Sequence, residues 1–358
     1  MLDNYGKRDS NWELLRILSM LAIVAGHFVG QTKSLEYVQG IDFIFALIFG
    51  SASRIAVALF LFLGTWYMVD AKFSAKRVLK LYGEYAFYSI VITLIMMIIT
   101  DVSIKEIING LFPGIKGGLW FAHVYFYLLL IAPFLKQVLD IDKNLLKLLL
   151  IVLFFAIFIK WNLVKTSQDD FVDQYIFFMY TFLIMGYYKK YLFNKININH
   201  WISLFVGIII YMILIVILYF AILNDKDIIV KIIRLYLDDY KTIPNLLISI
   251  PIFYFFQKLN IGKIKFINFI AKSAFAVYLI HQVEAFYPYM WSNIFKCSIG
   301  IKSDYFIIYM IGVVISIYVL ASIIDYFRIK YIEPVYLNSK ICKNIELNLN
   351  KIYSNIDK

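Results

Sequence analysis

The chain has 358 residues and a net charge of +11, with 62% of its side chains hydrophobic and only 16% charged. Soluble domains hold about 45–50% apolar and about 25% charged residues, so an ordinary soluble fold is excluded and an all-α, polytopic membrane protein is indicated. The surplus of Lys and Arg collects in alternate loops, which marks membrane orientation rather than a footprint for nucleic acid.

Apolar runs near spanning length predict ten helices, around 12–30, 52–69, 82–99, 119–135, 145–159, 174–188, 201–222, 242–257, 269–286 and 304–324. The basic loops carry Lys72, Lys76, Arg77 and Lys80; Lys136, Lys143 and Lys147; Lys189, Lys190 and Lys195; and Lys258, Lys263 and Lys265. Loops between them stay near neutral, as in 160–173, where Lys160 and Lys165 face Asp169, Asp170 and Asp173. Only the last outer loop breaks the alternation. The pattern places both termini in the cytoplasm, with residues 1–330 forming one membrane domain and 331–358 a short polar tail. Lys7 and Arg8 precede the first span in the manner of a signal peptide. That span carries Arg16 and His27 and lacks a small-x-small cleavage site, so it is expected to be retained.

The first span, "ELLRILSMLAIVAGHF", holds two residues that are costly in hydrocarbon, roughly 2.5–3.5 kcal/mol for a mid-span Arg. Arg16 and His27 stand eleven residues apart, which is three turns plus roughly 20° and about 16 Å along the axis. Singly, Arg16 would snorkel to the headgroups and His27 would be a packing histidine. Their common face favours a shared cavity. Arg54 falls at the outer end of the expected second span, where a lone Arg is an interface anchor. In the loop that follows, "AKFSAKRVLKLYGEY", Arg77 and Lys80 lie three apart on one helical face, a spacing suited to gripping a phosphate.

Two outer segments are longer than the rest: 100–118, containing "FPGIKGG", and 223–241, which reads as a short amphipathic helix on the membrane surface. Between them, "GGLWFAHVYFYLLLIAP" brings in Trp120, an aromatic-belt residue by default, and His123 one turn deeper. The ninth span contains "AFAVYLIHQVEAF", with His281 about 18 Å in and Glu284 one turn further on the same face. Such a pair is costly in a membrane unless the two groups serve each other. His200 looks incidental. Cys297 and Cys342 are expected on opposite sides, which excludes a disulfide between them, and the chain has no H-E-x-x-H pattern, so no metal is predicted. What emerges is a cavity with basic groups at its cytoplasmic mouth and imidazoles towards the outside. A histidine near its ordinary pKa is a natural general base for a hydroxyl.

These stretches carry a family resemblance. "NWELLRILSMLAIVAGH" resembles the first-span Arg…His motif of the acyltransferase family 3 integral membrane proteins, and "SRIAVALFLFLGTWYM" resembles their second span. "RVLKLY" is similar to the Arg-x-x-Arg motif that follows, "GGLWF" to a later Leu-Trp-Phe motif, and "VYLIH" to the Tyr-Leu-Ile-His near the end. The five occur in the family's order. Ala58 stands where the family often has Pro, Leu63-Gly64-Thr65 where it has Ser-Gly-Tyr, and Lys80 at the second Arg place, where the bidentate fork is lost. The family's frequent extracytoplasmic hydrolase-like domain has no counterpart in the sequence, which leaves the transfer to the membrane part or to a separate extracytoplasmic partner.

The resemblance implies transfer of an acyl group, usually acetyl from cytoplasmic acetyl-CoA, to a hydroxyl of a cell-surface polysaccharide or its lipid-linked precursor. Arg77, Lys80 and Arg16 would then meet the coenzyme's phosphates. His27 would act as general base or transient acyl carrier, with Arg16 beside it in the catalytic set. Arg54, Trp120, His123, His281 and Glu284 would line the cavity or orient groups in it. The richness in Ile, Lys, Asn and Tyr points to a bacterial cytoplasmic membrane and a capsule or wall glycan. The competing reading is a non-acylating protein of glycan assembly, such as a polysaccharide polymerase or a lipid-linked-sugar flippase.

Overall fold

The computed structural model describes residues 9–113, 119–163 and 171–354. Lys7 and Arg8, the Gly114–Gly118 part of "FPGIKGG", and the charged side chains expected in the 160–170 loop lie outside the described residues. The main helices are α1 (Ser10–Gln31), α2 (Gly40–Asp70), α3 (Ala75–Ile99), α4 (Ile104–Leu111), α5 (Trp120–Leu139), α6 (Lys143–Leu163) and α7 (Phe171–Tyr187). They continue as α8 (His200–Leu223), α9 (Asp227–Leu237), α10 (Ile243–Lys258), α11 (Lys265–Ile270), α12 (Ala274–His281), α13 (Phe306–Phe327), α14 (Glu333–Asn338) and α15 (Lys340–Tyr353). Six segments among the described residues are long and apolar enough to cross a membrane: Ser10–Gln31, Gly40–Asp70, Ala75–Ile99, Trp120–Leu139, His200–Leu223 and Phe306–Asn338. The 223–241 segment forms a short helix, α9, with Ile228 and Ile232 exposed and Ile233 and Leu237 buried.

Two elements differ from the sequence reading. Helix α2 starts at Gly40 rather than near 52, because "IDFIFALIFG" continues the apolar helix instead of forming a loop. Arg54 therefore lies fourteen residues inside a 31-residue helix, about 21 Å from its start, and is no end anchor. The expected ninth span is broken into α11, a 3-10 turn over Ala271–Ser273, and α12, which stops at His281. Glu284 thus falls beyond the helix end and does not share a helical face with His281. Its carboxylate instead accepts from Asn109 Nδ2 at 2.7 Å and pairs with Lys105 at 3.5 Å, joining the Glu284 segment to α4.

Helix α1 sits at the centre, packed on α2, α12 and α13. Gly26 sets the α1–α2 approach: a Cβ there would lie 2.1 Å from the Ser53 Cβ, so only glycine lets the two helices meet so closely. Towards the other end, Trp12 packs on Trp66 and Phe253 with ring centres 5.4 and 5.0 Å apart.

A buried ionic cluster ties α3 to α13 and α14. Arg328 bonds Asp325 at 2.7 Å and Glu333 at 3.1 Å and lies 3.4 Å from Glu84. Tyr88 donates its hydroxyl to Asp325 at 2.9 Å, and Lys80 pairs with Glu333 at 2.7 Å. Three carboxylates and two cations hold one another in place, since any of them buried alone would carry a desolvation cost of several kcal/mol.

Candidate active site

The Gly26–Ser53 crossing brings the next residue of each helix, His27 and Arg54, to the wall of one cavity. It is narrow, about 30 Å³, and Trp120, Phe121 and Tyr278 close its other sides. Arg54 is within electrostatic range of the His27 ring. The Tyr278 hydroxyl accepts from the Phe121 N–H at 3.2 Å, which fixes the first turn of α5 against α12.

Behind the cavity wall, His27 Nδ1 lies 2.9 Å from His281 Nε2, and His281 Nδ1 lies 2.5 Å from the Val277 carbonyl oxygen. A carbonyl oxygen only accepts, so His281 Nδ1 carries a proton. In a neutral pair His281 Nε2 is then an acceptor, and His27 Nδ1 must donate to it. The unprotonated nitrogen of His27 is therefore Nε2, which is the form a general base needs. Full burial of His281 keeps water from competing for this arrangement.

Three of the residues singled out from sequence thus share the cavity: His27, Arg54 and Trp120. His281 joins them through His27. The others lie elsewhere. His123 is buried between the rings of Tyr127 and Tyr175, at 5.0 and 6.0 Å, and is absent from the cavity wall. Arg16 pairs with Glu13 at 2.8 Å and, with Arg77, is within electrostatic range of Tyr125. Arg77 borders a second cavity of about 20 Å³ where the α2–α3 loop meets the end of α5. Lys80 points away, into the ionic cluster with Glu333.

The two cavities lie along one α2–α5 seam with a four-residue register. Phe60 meets Phe121 edge-on at 5.8 Å, beside the first cavity. Met68 and Leu129 line the second. Midway between them, Gly64 lies against Tyr125: a Cβ on Gly64 would come 2.8 Å from its ring.

The acyltransferase family 3 model, an acyltransferase domain, matches residues 9–324, most of the chain and every residue that lines the two cavities. The chain belongs to acyltransferase family 3. It is a multi-pass integral membrane acyltransferase. No curated protein and no solved structure matches it. Of the residues that shape the acyltransferase's cavities, sequence reading missed Ser53, Tyr278, Lys72 and Lys136. Ser53 and Tyr278 had flagged neighbours, Arg54 and His281. The two lysines were read as ordinary loop charge, and nothing local in the sequence distinguishes them.

Proposed function

We propose that this acyltransferase moves an acetyl group from cytoplasmic acetyl-CoA to a hydroxyl of a cell-surface polysaccharide or its lipid-linked precursor. On this reading ten segments cross the bacterial cytoplasmic membrane, both termini are inside, and residues 1–330 form one domain with a short tail after it. The observation that carries the reading is the His27–His281–Val277 relay, which leaves His27 Nε2 unprotonated beside Arg54 in a cavity.

The acceptor hydroxyl gives its proton to His27 Nε2 as its oxygen attacks the thioester carbonyl. Arg54 supplies positive charge for the oxyanion that forms on the carbonyl oxygen. The C–S bond breaks as the C=O re-forms, and the coenzyme A thiolate takes back the proton from His27. His281 holds the His27 ring in the required tautomer. Arg16, beside Tyr125, helps hold the donor below the reacting carbon. His123 and Glu284, which lie outside the cavity wall, take no part in the chemistry.

The test compares O-acetyl signals, by NMR, on surface polysaccharide from cells with the wild type, His27→Ala or a deletion, after confirming that the variant reaches the membrane. Equal loss in the variant and the deletion supports the reading. Unchanged acetylation in the deletion, with altered glycan length or amount, overturns it in favour of a glycan-assembly role.

A further inference from the structure

The last apolar segment is longer than a bilayer needs. Phe306–Asn338 runs 33 residues, about 50 Å as helix, against roughly 30 Å of hydrocarbon. Ile315, Val319, Ile323, Phe327, Tyr331 and Val335 follow one another at four-residue spacing, and all are exposed on the outside of the bundle. The lipid-facing stripe of the span thus carries on into α14, past the length the hydrocarbon accounts for. Ser339 then turns the chain, at φ −62° and ψ 150°, and its hydroxyl accepts from the Cys342 N–H to start α15.

Helix α15 has three sides. Cys342 is buried and Glu346, Leu349 and Tyr353 are half-buried, which sets one face against the bundle. On one flank Ile341, Ile345 and Ile352 are exposed, within about 40° of one another around the axis. The other flank carries Lys340, Lys343 and Lys351, with Leu347 a single exposed leucine among them. Glu346 is the one acid of the helix. The level of α15 is fixed by its contacts. Asn350 accepts from the N–H of Ala75, the first residue of α3, at 3.4 Å. Tyr353 reaches inward to the carbonyl of Leu130, nine residues inside the end of α5. Its ring also packs on Phe134 at 6.1 Å, and Phe134 is exposed on the outer surface of α5. Helix α15 therefore lies along the side of the bundle where α3 begins. An isoleucine flank at that level, continuous with a lipid-facing stripe, meets acyl chains, and lysines on the other flank reach back to phosphates and water.

We infer that α15 is a membrane-surface helix that seats on acidic phospholipid, with Ile341, Ile345 and Ile352 among the acyl chains and Lys340 and Lys351 at the headgroup phosphates. Lys340 and Lys351 stand eleven residues apart and so project to the same side, about 16 Å from each other along the axis. Three lysines against one glutamate favour a headgroup whose phosphate charge is not already compensated. The seat requires only that the chain spans a bilayer, and its being in the cytoplasmic leaflet follows the topology proposed above. The bundle-facing side of the same helix holds Phe73, which stacks on Tyr353 at 3.8 Å and borders the second cavity. Lipid that steadies α15 thereby steadies the α2–α3 loop.

The measurement is quenching of a cysteine-linked fluorophore by brominated lipid, on the full-length protein in phosphatidylcholine nanodiscs with and without phosphatidylglycerol. Probes are placed by Ile345→Cys, Ile352→Cys and Leu347→Cys, each first shown to keep the wild-type melting temperature. Wild type, whose two cysteines are buried, sets the background. Lipid bromines should quench the probes at 345 and 352 several-fold more than the probe at 347. At equal content, brominated phosphatidylglycerol should quench the 345 probe more than brominated phosphatidylcholine does. Adding Lys340→Gln should cut that preference by about fivefold, the contribution of one lysine near an acidic surface. Equal quenching at 345 and 347 overturns the seat, because the isoleucine flank is then no nearer lipid than the lysine flank. Probes at 345 that escape the bromines and quench one another show a second copy of the chain on that flank, which also overturns it. Quenching at 345 without preference for phosphatidylglycerol overturns the acidic-headgroup assignment. None of these outcomes depends on acetyl transfer, so failure here leaves the proposed function standing.

Discussion

His281 gives its Nδ1 proton to its own helix, at Val277, and this backbone contact reaches through two rings to decide which nitrogen of His27 is basic. Replacing His281 by Phe removes the acceptor and frees the His27 tautomer. On the proposed function, acetyl transfer should fall by about a hundredfold, the lower end of what general-base catalysis supplies, while coenzyme A binding stays unchanged. Initial rates set beside donor affinity check this, and a parallel loss of affinity would contradict it. Arg328 is the second residue with a decisive place, since Asp325, Glu333 and Glu84 all face it. Arg328→Met leaves three carboxylates sharing one partly exposed lysine. The expected cost is about 3–5 kcal/mol, visible as a lower melting temperature and reduced amounts in the membrane even though His27 is untouched.

At the scale of elements, the tail after α13 folds back rather than hanging in solvent. Tyr353 stacks on Phe73 and donates to the Leu130 carbonyl at 3.0 Å, and Asn350 accepts from the Ala75 N–H at 3.4 Å. Tyr353→Ala should lose about 0.5–1.5 kcal/mol of stacking and speed hydrogen exchange in 72–78, with α1 unaffected; an unchanged exchange pattern would deny α15 its clamping role. The six apolar spans were legible because hydrocarbon demands long, nearly uninterrupted runs of one kind of side chain. The start of α2 and the break before α12 were not, for opposite reasons. Ile41–Phe49 are apolar enough for either a helix or a buried loop, and "FIAKSAFAVYLIH" has the composition of an unbroken helix. The site was half legible. His27 and His281 stand out as ionisable groups in apolar runs, but their contact joins residues 254 apart in sequence and depends on how α1 and α12 pack. Lys72, in a loop, and Lys136, in the last turn of α5, were hidden by being lysines where cytoplasmic lysines are expected.

Across the whole molecule the proposed topology places Lys105 and Lys343 on opposite faces, and the two native cysteines are buried. A cysteine introduced at 105 should react with an impermeant maleimide in intact cells, and one at 343 only after lysis. The reverse result would turn the bundle over and put the Arg77 cavity outside. The seam between the cavities answers to a different substitution. Gly64→Ala forces a methyl group against the Tyr125 ring, and this overpacking should cost about 1–3 kcal/mol, read as a lower melting temperature.

That contact has a consequence beyond packing. An enzyme that takes its donor from one side of a membrane and its acceptor from the other must never become a conduit between them. A through-path would let protons run down the membrane potential, which is worth about 2.3 kcal/mol per charge for each 100 mV. On that reading Tyr125 resting on Gly64 would act as an insulating partition, and a donor arm threaded past it would take its place as the stopper. On the proposed function, the side-chain ring and missing methyl group that meet between the two cavities would also guard the cell's ion gradient.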